Sequence, residues 1–220
     1  RVTVNGSILA SATKTLMGTY NTHGSGGSIS IGCASFAGTN GKLLAEGSES
    51  TISVGKENGA YPGGGGRIAV RTSAQEDGLV SGMTISVREG LFKNTPRNNQ
   101  DAVRTQADLG TLWFTDMRLL ESLGTGISGQ ILNFTEYEFD DFTMTSGHVR
   151  LAAEGVKLTV AGDLTVSGAN ARLELGGYCV TNRVMDFSPY CGTTPVELAV
   201  GGDMTIAEGG RFDVYSAKTN

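Results

Sequence analysis

The feature that most restricts what this chain can fold into is an internal repeat. Val2-Thr3-Val4-Asn5-Gly6-Ser7-Ile8, Leu158-Thr159-Val160-Ala161-Gly162-Asp163-Leu164 and Leu198-Ala199-Val200-Gly201-Gly202-Asp203-Met204 share one order: apolar, small, Val, small or polar, Gly, Asp or Ser, apolar. Two copies run on into matching second halves, Arg172-Leu173-Glu174-Leu175 and Arg211-Phe212-Asp213-Val214. Each copy reads as a strand, a Gly-Asp corner, a strand, a small-residue corner and a third strand. Such a unit cannot bury its apolar face alone. Copies stacked ~4.8 Å apart bury a continuous core and pair each backbone group with the copy above or below. The second and third copies lie 40 residues apart, and about half of that spacing, 176–195, is an insertion. A bare repeat is therefore on the order of 20 residues, and the chain has room for roughly seven to nine.

The rest of the chain keeps the same period of two. Ser28-Ile29-Ser30-Ile31, Arg67-Ile68-Ala69-Val70 and Met83-Thr84-Ile85-Ser86-Val87 alternate apolar and polar residues. Gly, Asn, Asp or Ser bracket each run and supply positive φ or side-chain-to-backbone turn bonds. Glycine accounts for 33 of 220 residues, about twice its usual share of roughly 7%. With four prolines and no Gly-X-Y period, collagen is excluded and many tight turns are implied. Asp108 to Leu123 is the one candidate helix. The expected architecture is all-β: a right-handed parallel β-helix with loop insertions, residues 1–220 forming one segment of a longer chain. Residues 90–145 are expected to be an elaboration or insertion. A β-sandwich of antiparallel hairpins is the alternative, because alternating strands and Gly-rich turns suit it as well. The matching of strand with strand and corner with corner between copies favours the helix.

A net charge of −5 leaves no clustered cationic footprint for nucleic acid. No stretch approaches the ~18 uninterrupted apolar residues of a membrane span. Arg1 opens directly into a strand pattern without Met or leader, as expected of a mature or proteolysed segment.

Three further stretches carry a resemblance. His23-Gly24-Ser25-Gly26-Gly27-Ser28-Ile29-Ser30-Ile31, Gly41-Lys42-Leu43-Leu44-Ala45-Glu46-Gly47 and Gly63-Gly64-Gly65-Gly66-Arg67-Ile68-Ala69-Val70 follow one another in order. They resemble the Gly-rich, autotransporter- or adhesin-like β-helix repeats of very large secreted bacterial surface proteins. The resemblance covers mainly residues 1–75 and more loosely 145–220. It implies an extracellular or cell-surface stalk, fibre or adhesin, and it carries over no catalytic residue and no cofactor.

Residue by residue, the chemistry-bearing groups are sparse. Gly63 to Gly66 precede a strand, whereas a phosphate loop needs Gly-Lys-Ser/Thr opening a helix. Two histidines and three cysteines offer no zinc-ligand spacing. Glu136, Glu138 and Asp140 would share one face of a strand and are the calcium candidates. An ordinary solvated face over aromatic Tyr137 and Phe139 accounts for the same pattern. Adjacent Asp140 and Asp141 would point to opposite faces and could not flank one bond, and Asp163 and Asp203 occupy equivalent corners as turn-formers. Trp113 and Tyr137 could stack on sugar rings, but one Trp and a few Tyr are equally what a loop or cap uses to cover the core. Cys179 and Cys191 bracket the insertion and are expected to form a disulfide closing a loop within 176–195, with Cys33 a buried thiol in its strand. The expected function is a non-catalytic structural or adhesive module whose partners are protein surfaces, by self-association or continuation into further repeats. The alternative is a carbohydrate-active or glycan-binding β-helix, a polysaccharide lyase, hydrolase or tailspike-like protein.

Overall fold

The computed structural model describes residues 1–13, 24–51, 62–90, 92–93, 107–177 and 194–215. The chain divides into two compact units, Arg1–Asp116 and Met117–Asn220. Both are all-β, and within each unit every strand pairing is parallel. The antiparallel hairpins of a sandwich are absent among the described residues of either unit.

In the first unit the strands come in tiers of three. β1 (Val2–Thr3), β2 (Ser7–Leu9) and β3 (Ser28–Cys33) are followed by β4 (Phe36–Thr39), β5 (Lys42–Leu44), β6 (Ser50–Thr51) and β7 (Arg67–Thr72). After them come β8 (Val80–Ser81), β9 (Thr84–Ser86), β10 (Phe92–Lys93) and β11 (Thr111–Phe114). Successive tiers build three parallel ladders, β1–β4–β8, β2–β5–β9 and β3–β7–β11, while β6 and β10 pair with each other inside the connections. Alternation turns Ile29, Ile68 and Leu112, and likewise Val70 and Phe114, to the buried side. Burying each is worth roughly 1.5–3 kcal/mol.

Glycine fastens two of these ladders together. The N–H of Gly27 donates to the Ala10 carbonyl at 2.7 Å, that of Gly66 to Ala45 at 2.8 Å, and that of Gly110 to Val87 at 2.8 Å. One such bond recurs in each tier. At this spacing a Cβ on Gly66 would stand 2.1 Å from the Gly27 carbonyl oxygen, and one on Gly110 2.1 Å from that of Gly66. The glycines that open these strands are there because backbone meets backbone.

The second unit begins with a 3-10 turn, Met117–Leu120, and β12 (Ile127–Ile131). Three tiers follow: β13 (Glu136–Phe139), β14 (Phe142–Met144) and β15 (His148–Leu151); β16 (Lys157–Val160), β17 (Leu164–Ser167) and β18 (Arg172–Leu175); β19 (Glu197–Val200), β20 (Met204–Ala207) and β21 (Arg211–Val214). The repeat found in the sequence is the pairing register: Leu158 lies opposite Leu198, Val160 opposite Val200, Leu173 opposite Phe212. Glu136 pairs with Lys157, 21 positions on, which is the length of a tier without an insertion. Insertions lengthen other repeats, and among the described residues the third strand of the repeat occurs seven times, as β3, β7 and β11 in the first unit and as β12, β15, β18 and β21 in the second. The candidate helix 108–123 is instead strand β11 and the 3-10 turn, because Leu112 and Phe114 extend a ladder whose inward positions they fill.

Candidate functional site

Three surfaces concentrate polar or unusually placed side chains. The first is the last tier of the second unit. Leu158 and Val166 are fully buried, yet their in-register partners Leu198 and Ile206 are 36% and 47% exposed, and Met204 and Val214 are exposed as well. In the first unit Ile8 is 39% exposed while its partner Leu43 is buried. Among the described residues the strands that carry these side chains have a strand partner on one side only. At the corner before β17 and β20 runs a column of aspartates: Asp163 N–H donates to Asp141 Oδ1 at 2.8 Å, and Asp203 N–H donates to Asp163 Oδ1 at 2.8 Å. The first unit repeats the device, Thr39 N–H donating to Asn5 Oδ1 at 2.9 Å. In both units the later tier donates to the earlier one.

The second surface is an ionic network on the side of β15, β18 and β21 that faces away from Val149, Leu173 and Phe212. Register places His148, Arg172 and Arg211 in one column and Arg150, Glu174 and Asp213 in the next. Arg150 Nε donates to Glu174 Oε2, and both residues are buried. Glu174 Oε1 lies 2.6 Å from Arg172 Nη2 and 3.1 Å from His148 Nε2. Asp213 lies 3.3 Å from Arg172 Nε and 2.7 Å from Arg211 Nε. Burial by itself would raise the Glu174 carboxyl, but the His148 hydrogen bond and the Arg150 charge outweigh it and hold the group down at about 2. Burial pushes the phenol of Tyr137, enclosed in the core edge-on to Phe134, well above its usual range.

The third surface is the outward side of the β3–β7–β11 ladder, where Trp113 is 39% exposed and the Arg71 guanidinium sits 5.9 Å from its ring centroid. A shallow groove of about 260 Å³ opens beside Ser28, Arg67 and Thr111, floored by the glycines that precede the three strands.

The calcium candidates Glu136, Glu138 and Asp140 are all exposed, the first two on the outward side of β13 and Asp140 just beyond its end. Among the described residues no three His, Cys, Asp or Glu side chains are disposed to hold a metal ion. Asp141 belongs to the corner column, its Oδ1 accepting the Asp163 N–H. Cys33 is half-buried and not buried as expected, because β3 is the edge strand of its ladder in the first tier. Cys179 and Cys191, with most of the 176–195 loop, lie outside the described residues. Sequence reading missed the Arg150–Glu174 network. The signal was His148-Val149-Arg150-Leu151, a third copy of the charged-apolar-charged-apolar pattern seen at 172–175 and 211–214.

No protein-family model, curated protein or solved structure matches the chain. Among the described residues no helix is long and apolar enough to cross a membrane.

Proposed function

We infer that the chain is a non-catalytic structural and adhesive module of an extracellular or cell-surface protein, its tiers being turns of a right-handed parallel β-helix. The observation that carries this reading is the end tier of the second unit. Among the described residues that tier pairs on one side only, and Leu198, Met204, Ile206 and Val214 are exposed at positions that are buried one tier earlier. An edge of parallel strands with an apolar side is a template for another tier. Further repeats or a second copy of the chain supply it. The first tier of another copy is complementary: the column Glu136, Lys157, Glu197 alternates in charge, and the residue equivalent to Glu197 in the first repeat is Arg1. Asp203 Oδ1 would accept the backbone N–H of Ser7, as Asp163 accepts that of Asp203. A head-to-tail contact of this kind uses different surfaces on the two copies and extends unless a ring closes.

The test is the mass of the purified chain by light scattering from micromolar to hundred-micromolar concentration, with a screen for cleavage of acidic and neutral polysaccharides. The expected result is a mass that grows with concentration, is reduced to the monomer by Ile206→Asp, and comes without glycan cleavage. A strictly monomeric chain that shortens a glycan, and stops doing so when Glu136, Glu138, Asp140 or Asp141 is neutralised, would establish the carbohydrate-active alternative instead.

A further inference from the structure

We propose that the outward side of the β3–β7–β11 ladder binds carboxylated polysaccharide, a sugar ring stacking on Trp113 while Arg67 and Arg71 take carboxylates on either side of it. The site lies wholly within the first unit and does not depend on association through the end tier.

The pairing register builds the surface. Ser28, Arg67 and Thr111 form one row across the three strands, and Ser30, Ala69 and Trp113 form the next. Gly32 and Arg71 continue the pattern. The intervening residues Ile29, Ile68, Val70, Leu112 and Phe114 are buried, so strand alternation turns these rows to solvent. In its row Trp113 stands beside Ala69, with Ser30 one strand further on, and neither side chain is large enough to cover the indole from that side. An exposed indole among small residues gives up burial that a Ser or Thr at the same place would not need. It presents instead a flat, electron-rich face suited to the C–H face of a pyranose ring. Arg71 holds the indole in place from one side through its guanidinium.

Charge selects among sugars. Arg67 and Arg71 lie two residues to either side of Ala69 on one strand, and at ~3.3 Å rise per residue each is displaced ~6.6 Å from the Trp113 row. A carboxylate on a stacked ring, or on its neighbour, falls within reach of a guanidinium, which receives carboxylates through two parallel N–H donors. The rows contain two cations and no acid, in a chain whose net charge is −5. Beyond Arg67 the surface continues into the groove lined by Gly26, Gly27, Gly65, Gly66 and Gly110. Two arginines are too few for a nucleic acid backbone.

Trp113 is the single tryptophan of the chain, so its emission reports this surface alone. Titration with alginate oligosaccharides at low salt is expected to change that emission saturably. Arg67→Ala and Arg71→Ala should each weaken binding by about tenfold or more, with Arg71→Lys intermediate. All three substitutions lie at exposed positions and should leave the melting temperature unchanged. Retardation in an alginate-containing native gel should be lost in Trp113→Ala, and Ile206→Asp should leave both readouts as they are, which separates this site from end-tier association. Emission unaltered at millimolar oligosaccharide, or retardation that persists in Trp113→Ala, overturns the proposal. So does equal binding of maltohexaose, which has no carboxylate, or of polyglutamate, which has no sugar ring.

Discussion

Arg150 and Glu174 face each other in register across adjacent parallel strands, hydrogen-bonded and both withdrawn from solvent on the side of the ladder opposite to Val149 and Leu173. A buried pair of this kind adds less to stability than its Coulomb attraction suggests, because both ions have left water. Removing one partner is another matter, since the other charge stays buried. Glu174→Ala is expected to cost about 3–5 kcal/mol, read as a fall in the urea midpoint at constant slope. An effect below about 1 kcal/mol would mean that Arg150 regains water when its partner is gone.

The same carboxylate sets an acid dependence. Its folded value of about 2 lies below the ordinary 4.5, so its contribution is complete above the ordinary value and drains away as pH falls towards 2. The stability gap between wild type and Glu174→Gln should therefore be widest above the ordinary value and narrow steadily below it. Urea unfolding at a series of acidic pH values measures this directly.

The corner column predicts a chemically selective result. Asp163→Asn keeps an oxygen acceptor for the Asp203 N–H and should be nearly neutral, whereas Asp163→Ala removes it and should cost about 0.5–1.5 kcal/mol. Hydrogen exchange at the Asp203 amide should quicken only in the alanine variant.

Glycines divide by what surrounds them. Gly66→Ala drives a methyl into the Gly27 carbonyl and should destabilise by several kcal/mol, of the order seen for severe overpacking. A Cβ on Gly32, a strand residue, meets nothing within 4 Å, so Gly32→Ala should be neutral or stabilise by up to about 1 kcal/mol. Thermal melts of the two variants side by side test the contrast.

Cys179 and Cys191 are expected to be joined, and peptide mass spectrometry without reduction reads the bond. Closing so short a loop would add about 3 kcal/mol in the chain-entropy model. Two alkylatable thiols in protein taken from its native location would count against both the bond and an oxidising compartment.

Much of the architecture was legible in the chain itself, for a local reason. Period-two alternation decides which side of a strand a residue such as Leu158 or Val160 leaves from, and recurrence of the pattern at Leu198 and Val200 announces the register in which the strands pair. Asp163 and Asp203 could be read as equivalent corners on the same ground. What alternation cannot state is how much of either side remains in water, because that depends on strands brought alongside across long insertions. Arg172-Leu173-Glu174-Leu175 reads as any half-exposed strand, yet packing buries Glu174 among His148, Arg150 and Arg172. Trp113 looked like part of a mixed helical stretch until pairing with β7 set it in an extended strand beside Ala69, facing solvent with Arg71 over its ring. Sequence determined the period, the corners and the register; tertiary pairing decided which polar groups lost their water and which aromatic kept it.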